Sequence, residues 1–454
     1  MEDPEFDVII VGAGISGLAA AKHLVKNKKK VCILEAQNRV GGRIFSKTTP
    51  SGKVIDLGAQ WIGEGQSNLI SLLSEYSIKK FPDIAVGKHI QFLNNELRTY
   101  TNSIPDLGII HLIDFYLALY RIEKDGESVS LDTPYKAKYA EEWDSMTVES
   151  WAKKHIHTKS VHEILDLYME SVFAASPRDM SFLFFLSTLH NSKGPVYGIE
   201  GASAYRVDGG LSQLCERIAE DLKGSIILNC PVKKVSQSKE KVILQTATSS
   251  YSARKAIITI PPVLASQISF FPPLPPKRDK LHQRMPMGSA IKTFAIYKKP
   301  FWKANGFSGK IINNEGLVRL IYDGSPSDNS YGALVAFVLG KRSIEAENAS
   351  EASITGAVLN TLVKFLGEEA KEPDEFIIYN WNHDPWARGG YSGYMPPGVM
   401  NGLGDTVHEP TGNIYWAGDQ MTSKFLGYVE GAIESGLKAA NDILTHKSGS
   451  QHGK

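Results

Sequence analysis

The sequence predicts an α/β protein in which a parallel, helix-covered sheet is assembled from distant parts of the chain and accompanied by a second, α+β region. Three observations carry this. The chain opens with an apolar β-rich run, a glycine cluster, an alanine-rich helical pattern and another apolar run, and that order is a βαβ unit whose natural product is a parallel sheet. A helical, aromatic-rich stretch from about Ile70 to Gly201 then interrupts it. Strand-like alternation from Ser289 to Gly340 and a closing strand, glycine turn and helix complete the pattern.

Taken in order, Asp7–Val11 is the first strand, Leu18–Val25 the first helix and Val31–Leu34 the second strand, ending at Glu35. Helical segments are expected at Ile109–Tyr120, Val161–Val172 and Met180–His190, forming a separate layer. Strand-like runs return at Ser225–Leu228, Lys241–Thr246 and Ala256–Ile260, and the Pro-rich stretch Phe271–Pro276 marks a crossing between domains. Thr293–Tyr297 and Ala333–Leu339 alternate as a sheet with one wet face and helices behind it, the latter from Ile344 to Leu366. Asn413–Trp416 is the last strand, and a helix runs from about Tyr428 to Leu444.

A chain of 454 residues exceeds one compact core and suggests two to four domains. Lys plus Arg number 50 and Asp plus Glu 49, so no net field draws the molecule to nucleic acid or an anionic membrane, and partners are recognised in a pocket. Cys32, Cys215 and Cys230 are odd in number and lack C-x-x-C spacing. That argues against a disulfide framework and a zinc site and favours a reducing compartment. No basic segment followed by an apolar run opens the chain, and no apolar run approaches the roughly 20 residues that span a bilayer. The tail from His446 to Lys454 is polar. The expectation is a soluble, cytoplasmic protein without a membrane anchor.

Gly12-Ala13-Gly14-Ile15-Ser16-Gly17 lies between the first strand and first helix, and Glu35 stands eighteen positions after the last glycine. In that setting Gly12 permits a tight turn, Gly14 lets backbone approach a pyrophosphate, and Gly17 brings helix and strand together, while the helix N-terminus offers unpaired N–H groups. Glu35 is placed to accept hydrogen bonds from ribose hydroxyls. Arg39-Val40-Gly41-Gly42-Arg43 follows; it resembles the second signature of flavoproteins related to glutathione reductase and points to FAD rather than NAD. Its two glycines permit close approach of backbone, and Arg43 offers a permanently charged fork.

Asp56-Leu57-Gly58-Ala59-Gln60-Trp61-Ile62-Gly63 resembles the stretch that passes along the flavin in amine oxidases. Asn413–Asp419 followed by Gly427–Ala432 resembles the closing signature of the same family, with a helix N-terminus directed at the flavin ring. Gly288–Lys292 with Phe301-Trp302, and Trp381–Tyr391, resemble two further family segments. Together these pieces run from residue 8 to residue 440, and the chain is similar over nearly its whole length to the flavin-containing amine oxidases of the monoamine oxidase type.

The resemblance implies a discontinuous, Rossmann-like FAD domain of the glutathione-reductase type from residues 1–78, 208–283 and 384–454. An α+β substrate domain would occupy 79–207 and 284–383. It implies FAD contacts at Gly12, Ala13, Gly14, Ser16, Gly17, Glu35, Ala36, Arg43, Gly58, Ala59, Gln60, Trp61, Val232, Trp381, Gly418, Asp419, Tyr428 and Val429. Lys292 takes the role of the family lysine that holds a water bridged to flavin N5, and Tyr391 and Tyr428 the two walls of an aromatic cage before the flavin. The reaction implied moves two electrons from the α-carbon of a small amine to FAD. Oxygen then reoxidises the flavin to give hydrogen peroxide, and the imine hydrolyses to aldehyde and ammonia.

Three departures qualify the resemblance. Gly390 stands where the mammalian enzymes carry the cysteine that binds FAD covalently, so the FAD is expected to be non-covalent. Ser203 falls near a pocket glutamine of those enzymes, and Gly418-Asp419-Gln420 replaces their Gly-Thr-Glu. Alternatives remain open. An L-amino acid oxidase needs an arginine for the carboxylate, for which Arg206 and Arg388 are candidates. A polyamine or diamine oxidase needs a carboxylate such as Glu64, and a non-catalytic flavin scaffold would not need Lys292, Tyr391 and Tyr428. The pair His383-Asp384, though tempting as acid and base, reads as a loop before Pro385.

Overall fold

A computed structural model describes residues 4–101, 104–191 and 201–445 of the chain; the polar tail discussed above lies outside them. Two large sheets organise it. The first has eight strands in the order Ser269–Phe271, Lys234–Gln237, Val242–Gln245, Ser250–Ile258, Phe6–Val11, Val31–Leu34 and Ile226–Ile227, with Ile414–Trp416 joined to Ser250–Ile258. Phe6–Val11 runs parallel to both neighbours, with Val11 opposite Leu34 on one side and Ile258 on the other. Ser250–Ile258 forks: its first half pairs antiparallel with Val242–Gln245 and its second half parallel with Ile414–Trp416.

Because these central strands are parallel, Gly12, Glu35, Thr259 and Gly418 all emerge at one edge, the carboxyl ends where open α/β sheets bind ligands. Behind that edge the helices Ile15–Lys26 and Val429–Thr445 pack into one apolar cluster with Leu18, Leu24, Ile433 and Ala440. Their backbones come so close that a Cβ on Gly436 would lie 2.2 Å from the Ser16 carbonyl oxygen.

The second sheet has seven strands in the order Glu375–Asn380, Ala290–Tyr297, Gly332–Leu339, Leu320–Asp323, Phe307–Asn313, Lys88–Leu93 and Glu96–Tyr100. The expected wet face is not there: Ala290–Tyr297 and Gly332–Leu339 are buried along their whole length. One face packs on helix Glu351–Leu366 through Ile354, Val358 and Leu362, and the other carries Phe294, Val335 and Phe337 against Ile55 and Leu57. The alternation was real, but the face assigned to water is turned toward the rest of the protein.

The stretch expected to be wholly helical after Ile70 contains the hairpin Lys88–Leu93 and Glu96–Tyr100. Its turn residues Asn94 and Asn95 have φ of 54° and 62°, the left-handed region that asparagine tolerates and a two-residue hairpin requires. The expected helices are present as Ile109–Glu127, Lys159–Phe173 and Phe182–Asn191. They build a separate aromatic core with Trp143, Trp151, Phe184 and Phe185. The three cysteines are buried and unpaired. Among the described residues no helix is long and apolar enough to cross a membrane.

Candidate active site

One cavity of about 1460 Å³ runs from the edge of the first sheet to the inner face of the second. Pockets for a single small molecule are usually roughly 300–1,000 Å³, so this space accommodates more than one. Its first half is walled by Gly12, Gly14, Ser16, Glu35, Ala36 and Arg43, with Val232, Gly418, Asp419 and Val429. Its middle is walled by Gly58, Ala59, Gln60, Trp61, Lys292 and Trp381, and Tyr391 and Tyr428 line it as well. Of the expected FAD contacts, Ala13 and Gly17 alone stand behind the wall. Ala13 N–H donates to Glu35 Oε2 at 2.6 Å, and a Cβ on Gly17 would meet the Gly12 carbonyl oxygen at 2.1 Å.

The glycine turn is built for a phosphate-bearing ligand. Gly12 has φ +103°, which L side chains avoid, whereas a Cβ on Gly14 would have no atom within 4 Å. Gly14 therefore keeps open space that any side chain would fill. It is also the N-cap of helix Ile15–Lys26 and provides no side-chain cap, so the first-turn N–H groups remain for an anion. Glu35, raised in pKa mainly by burial, accepts from the N–H groups of Ala13 and of Gln37, the latter at 2.8 Å. The carboxylate thus fixes the turn while leaving lone pairs for hydroxyl donors. These features fit the diphosphate and ribose of FAD.

Arg43 gathers three segments that are far apart in sequence. Its guanidinium is bidentate to Asp419, with Nη1 3.0 Å from Oδ2 and Nη2 on Oδ1, and Nη1 also donates to the Tyr391 carbonyl at 2.6 Å. Arg43 and Asp419, each expected among the FAD contacts, are thereby a neutralised pair. Net attraction for an anion at this end rests chiefly on backbone N–H groups. Ser435, unremarked in the sequence, ties the same corner together: its Oγ accepts from Gly418 N at 3.0 Å, donates to Ala432 O at 2.9 Å and lies 3.4 Å from Ser16 Oγ.

Lys292, on strand Ala290–Tyr297, is 3% exposed. Its Nζ donates to Asp56 O at 2.6 Å, Gly58 O at 3.0 Å and Gln60 Oε1 at 2.8 Å. Those acceptors engage all three hydrogens of an ammonium. The rings of Trp61 and Phe337 stand 5.2 Å and 5.5 Å away. Burial pushes the ammonium down to about 7, against the pull of Asp56. A lysine pushed so far below its ordinary range is the kind of perturbed group that clusters at functional sites.

Beyond Lys292 an apolar and aromatic set, Phe115, Leu167, Tyr168, Phe173, Tyr322 and Phe337, shares the wall with polar side chains such as His89, Ser171 and Ser308. Tyr391 stands edge-on to Phe337 at 6.5 Å, and Tyr322 edge-on to both Trp61 and Phe337. Burial raises the pKa of Tyr391 and Tyr322, keeping both phenols neutral. Trp61 and Trp381 are held through their ring N–H groups, to Asp83 Oδ2 at 2.7 Å and Leu57 O at 3.0 Å.

Three of the ionic groups in this half, besides Lys292, are already engaged with one another or with a neighbour. Asp83 also accepts from Arg206 Nε at 2.8 Å, and Asp323 pairs with Lys303 at 2.6 Å. Arg206 is thus committed to a carboxylate, Arg388 is exposed and off the cavity wall, and Glu64 lines the cavity from an exposed position. Ser203 is also on the wall. His383 is exposed, whereas Asp384 is buried and accepts from Tyr379 OH at 2.7 Å and Trp386 N at 2.8 Å, a loop-fixing role. Gly390 lines the cavity with no thiol to offer.

Comparison with known proteins agrees with this geometry. Residues 15–444 match the family model described as flavin containing amine oxidoreductase. A Dictyostelium discoideum protein described as a probable flavin-containing monoamine oxidase A is 33% identical over 450 residues, covering 96% of this chain and 97% of its own. An L-amino acid dehydrogenase of Synechocystis sp. is 33% identical over 446 residues, covering 96% and 94%. A putrescine oxidase structure with putrescine bound superposes with a TM-score of 0.94 at 27% identity, covering 97% of this chain and 99% of that one.

Proposed function

The chain belongs to the flavin containing amine oxidoreductases and is an FAD-dependent amine oxidase, and from that premise we propose that its substrate is a primary monoamine with an apolar body. The observation that carries this is the substrate half of the cavity. Its walls are largely aromatic and aliphatic, and both arginines on the cavity wall among the described residues, Arg43 and Arg206, already hold carboxylates. An α-amino acid would bring a carboxylate to a space without a free guanidinium. A diamine would bring a second ammonium to carboxylates that are paired, at Asp83 and Asp323, or exposed, at Glu64. Burying an unpaired charge is costly.

FAD, when bound, accepts the two electrons and is reoxidised by oxygen; the chain supplies position and field. Gly12, Gly14 and the N-terminus of helix Ile15–Lys26 hold the diphosphate, and Glu35 the ribose. Gly58–Trp61 and Trp381 would lie along the ring, and Gly390 would offer it no thiol for a covalent link. Tyr391 and Tyr428 orient the amine between π faces, and the apolar walls exclude water. Lys292, in its charged form beside Trp61 and Phe337, would stabilise negative charge developing on oxygen.

Two broader readings go with this. A cofactor domain of residues 1–78, 208–283 and 384–454 and a substrate domain of 79–207 and 284–383 are supported by the sheets, since every strand of the first sheet falls in the former set and every strand of the second in the latter. The three unpaired buried cysteines support a reducing, cytoplasmic setting.

The test is a panel of alkyl and arylalkyl monoamines, diamines and α-amino acids scored by anaerobic bleaching of the flavin. Monoamines bleach it fastest, by roughly tenfold or more at equal concentration, the discrimination a site built against a buried charge gives. Faster bleaching by a diamine or an amino acid overturns the monoamine reading while leaving the family intact.

A further inference from the structure

We propose that Gln66 is a cofactor-contacting residue whose side-chain amide hydrogen-bonds the bound FAD. Gln66 is 1% exposed, lines the cavity, and has no hydrogen-bond partner for either Nε2 or Oε1 among the described residues. None of the glycine, arginine or tyrosine signatures contains it.

Its position explains why the amide is free. Gln66 is the N-cap of helix Ser67–Glu75, yet its side chain makes no capping hydrogen bond. That task is performed from elsewhere. The buried Glu430, in the first turn of helix Val429–Thr445, accepts from Asn68 N at 3.0 Å, Asn68 Nδ2 at 2.9 Å and Leu69 N at 2.9 Å. One carboxylate thus locks the start of the shorter helix to the start of the closing helix, immediately after Tyr428 and Val429 on the cavity wall. A glutamine there is released from local duty and held at the same wall.

A buried primary amide with neither a donor nor an acceptor satisfied destabilises a protein relative to an apolar side chain of the same shape. A ligand that pairs it removes that penalty. FAD presents both kinds of partner: its pyrimidine ring alternates carbonyl oxygens with an N–H, and its ribityl chain carries hydroxyls. An amide answers either through one donor and one acceptor. This inference rests on the FAD reading of the cavity and adds a residue to it.

The experiment uses the holoprotein and Gln66→Met, which keeps the length and unbranched shape of the side chain while removing both polar atoms. Release of FAD on dilution, followed by the rise of free-flavin fluorescence, is expected to be roughly tenfold to a hundredfold faster than in the parent. The visible bands of the flavin that remains bound shift in position where the lost hydrogen bond was to the pyrimidine ring, and stay in place where it was to the ribityl chain, which is insulated from the chromophore. Gln66→Glu, isosteric but without the N–H donors, gives the same direction and stands in if the Met variant does not accumulate. Parental release in both variants overturns the proposal, as does a change confined to the KM of the amine. Faster release accompanied by an equal fall in the thermal midpoint of the flavin-free chain assigns Gln66 to packing and overturns it too. A parent protein that carries no FAD at all refutes the cavity reading instead, so the two failures are distinguishable.

Discussion

At its glycine-rich end the cavity is walled largely by backbone, drawn from turns at the edge of one parallel sheet. At its aromatic end it is walled by side chains from helix Lys159–Phe173 and from the second sheet. The first end demands particular residues at fixed spacings, because only glycine leaves Gly14 open and allows Gly17 to lie under the Gly12 carbonyl. The second demands only that bulky rings arrive from several directions, and many sequences satisfy that. On the proposed reading, the backbone end holds the cofactor and the side-chain end selects the amine.

The largest effect expected from this contrast lies within the glycine turn itself. Gly17→Ala drives a Cβ to 2.1 Å from backbone, forces helix Ile15–Lys26 outward, and is expected to cost about 3 kcal/mol with loss of the yellow holoprotein. Gly14→Ala meets no atom, and Gly14 has φ −67°. Its stability is expected to stay within about 0.5 kcal/mol of the parent, while FAD affinity falls by roughly a hundredfold as the methyl fills ligand space. Thermal midpoints of the flavin-free chains, set beside FAD titrations, separate the two. A Gly14→Ala variant that binds FAD like the parent breaks the assignment of the turn.

The next effect sits where the two ends meet. Lys292→Met is expected to slow the oxygen half-reaction by about 10²–10³, the usual cost of removing one preorganised charge stabiliser, and the amine half-reaction much less. Because burial lowers the Lys292 pKa to about 7, the fraction charged falls as pH rises through that value. A neighbouring anion moves the midpoint upward. The parent's oxygen rate should therefore decline with a midpoint at or above 7, and the Met variant should lack that decline. Stopped-flow traces across pH check both; equal oxygen rates in the two proteins remove Lys292 from the role.

These contrasts also explain what the sequence revealed. Gly12, Gly14, Gly17 and Glu35 were legible because a dinucleotide turn constrains neighbours within one βαβ unit. The Arg43–Asp419 pair was not, since its members are 376 positions apart and each alone looks like a phosphate contact. Tyr168, Tyr322 and Phe337 were missed because a ring on a helix or strand carries no local sign of which cavity it faces. The hairpin at Lys88–Tyr100 did carry a sign, Asn94-Asn95 between alternating runs, and it was masked by the helical composition around it. The second face of the second sheet was misread because alternation distinguishes two faces without saying what covers them. Gln66 left no sign at all, its freedom depending on Glu430 at the other end of the chain.

The smallest of the expected effects bears most directly on the central claim that amine and cofactor meet between Tyr391 and Tyr428. Anaerobic flavin reduction by a monoamine, normalised to bound FAD, should fall roughly tenfold to a hundredfold in Tyr391→Ala and Tyr428→Ala, because alignment of the reacting C–H bond is lost. In the corresponding Phe variants it should stay within about threefold, because the rings remain. Tyrosines that served only the core would behave otherwise: the Ala variants would lose about 3–5 kcal/mol of stability and some FAD occupancy. Their reduction rate per bound FAD would nonetheless equal the parent's, and that result would contradict the account.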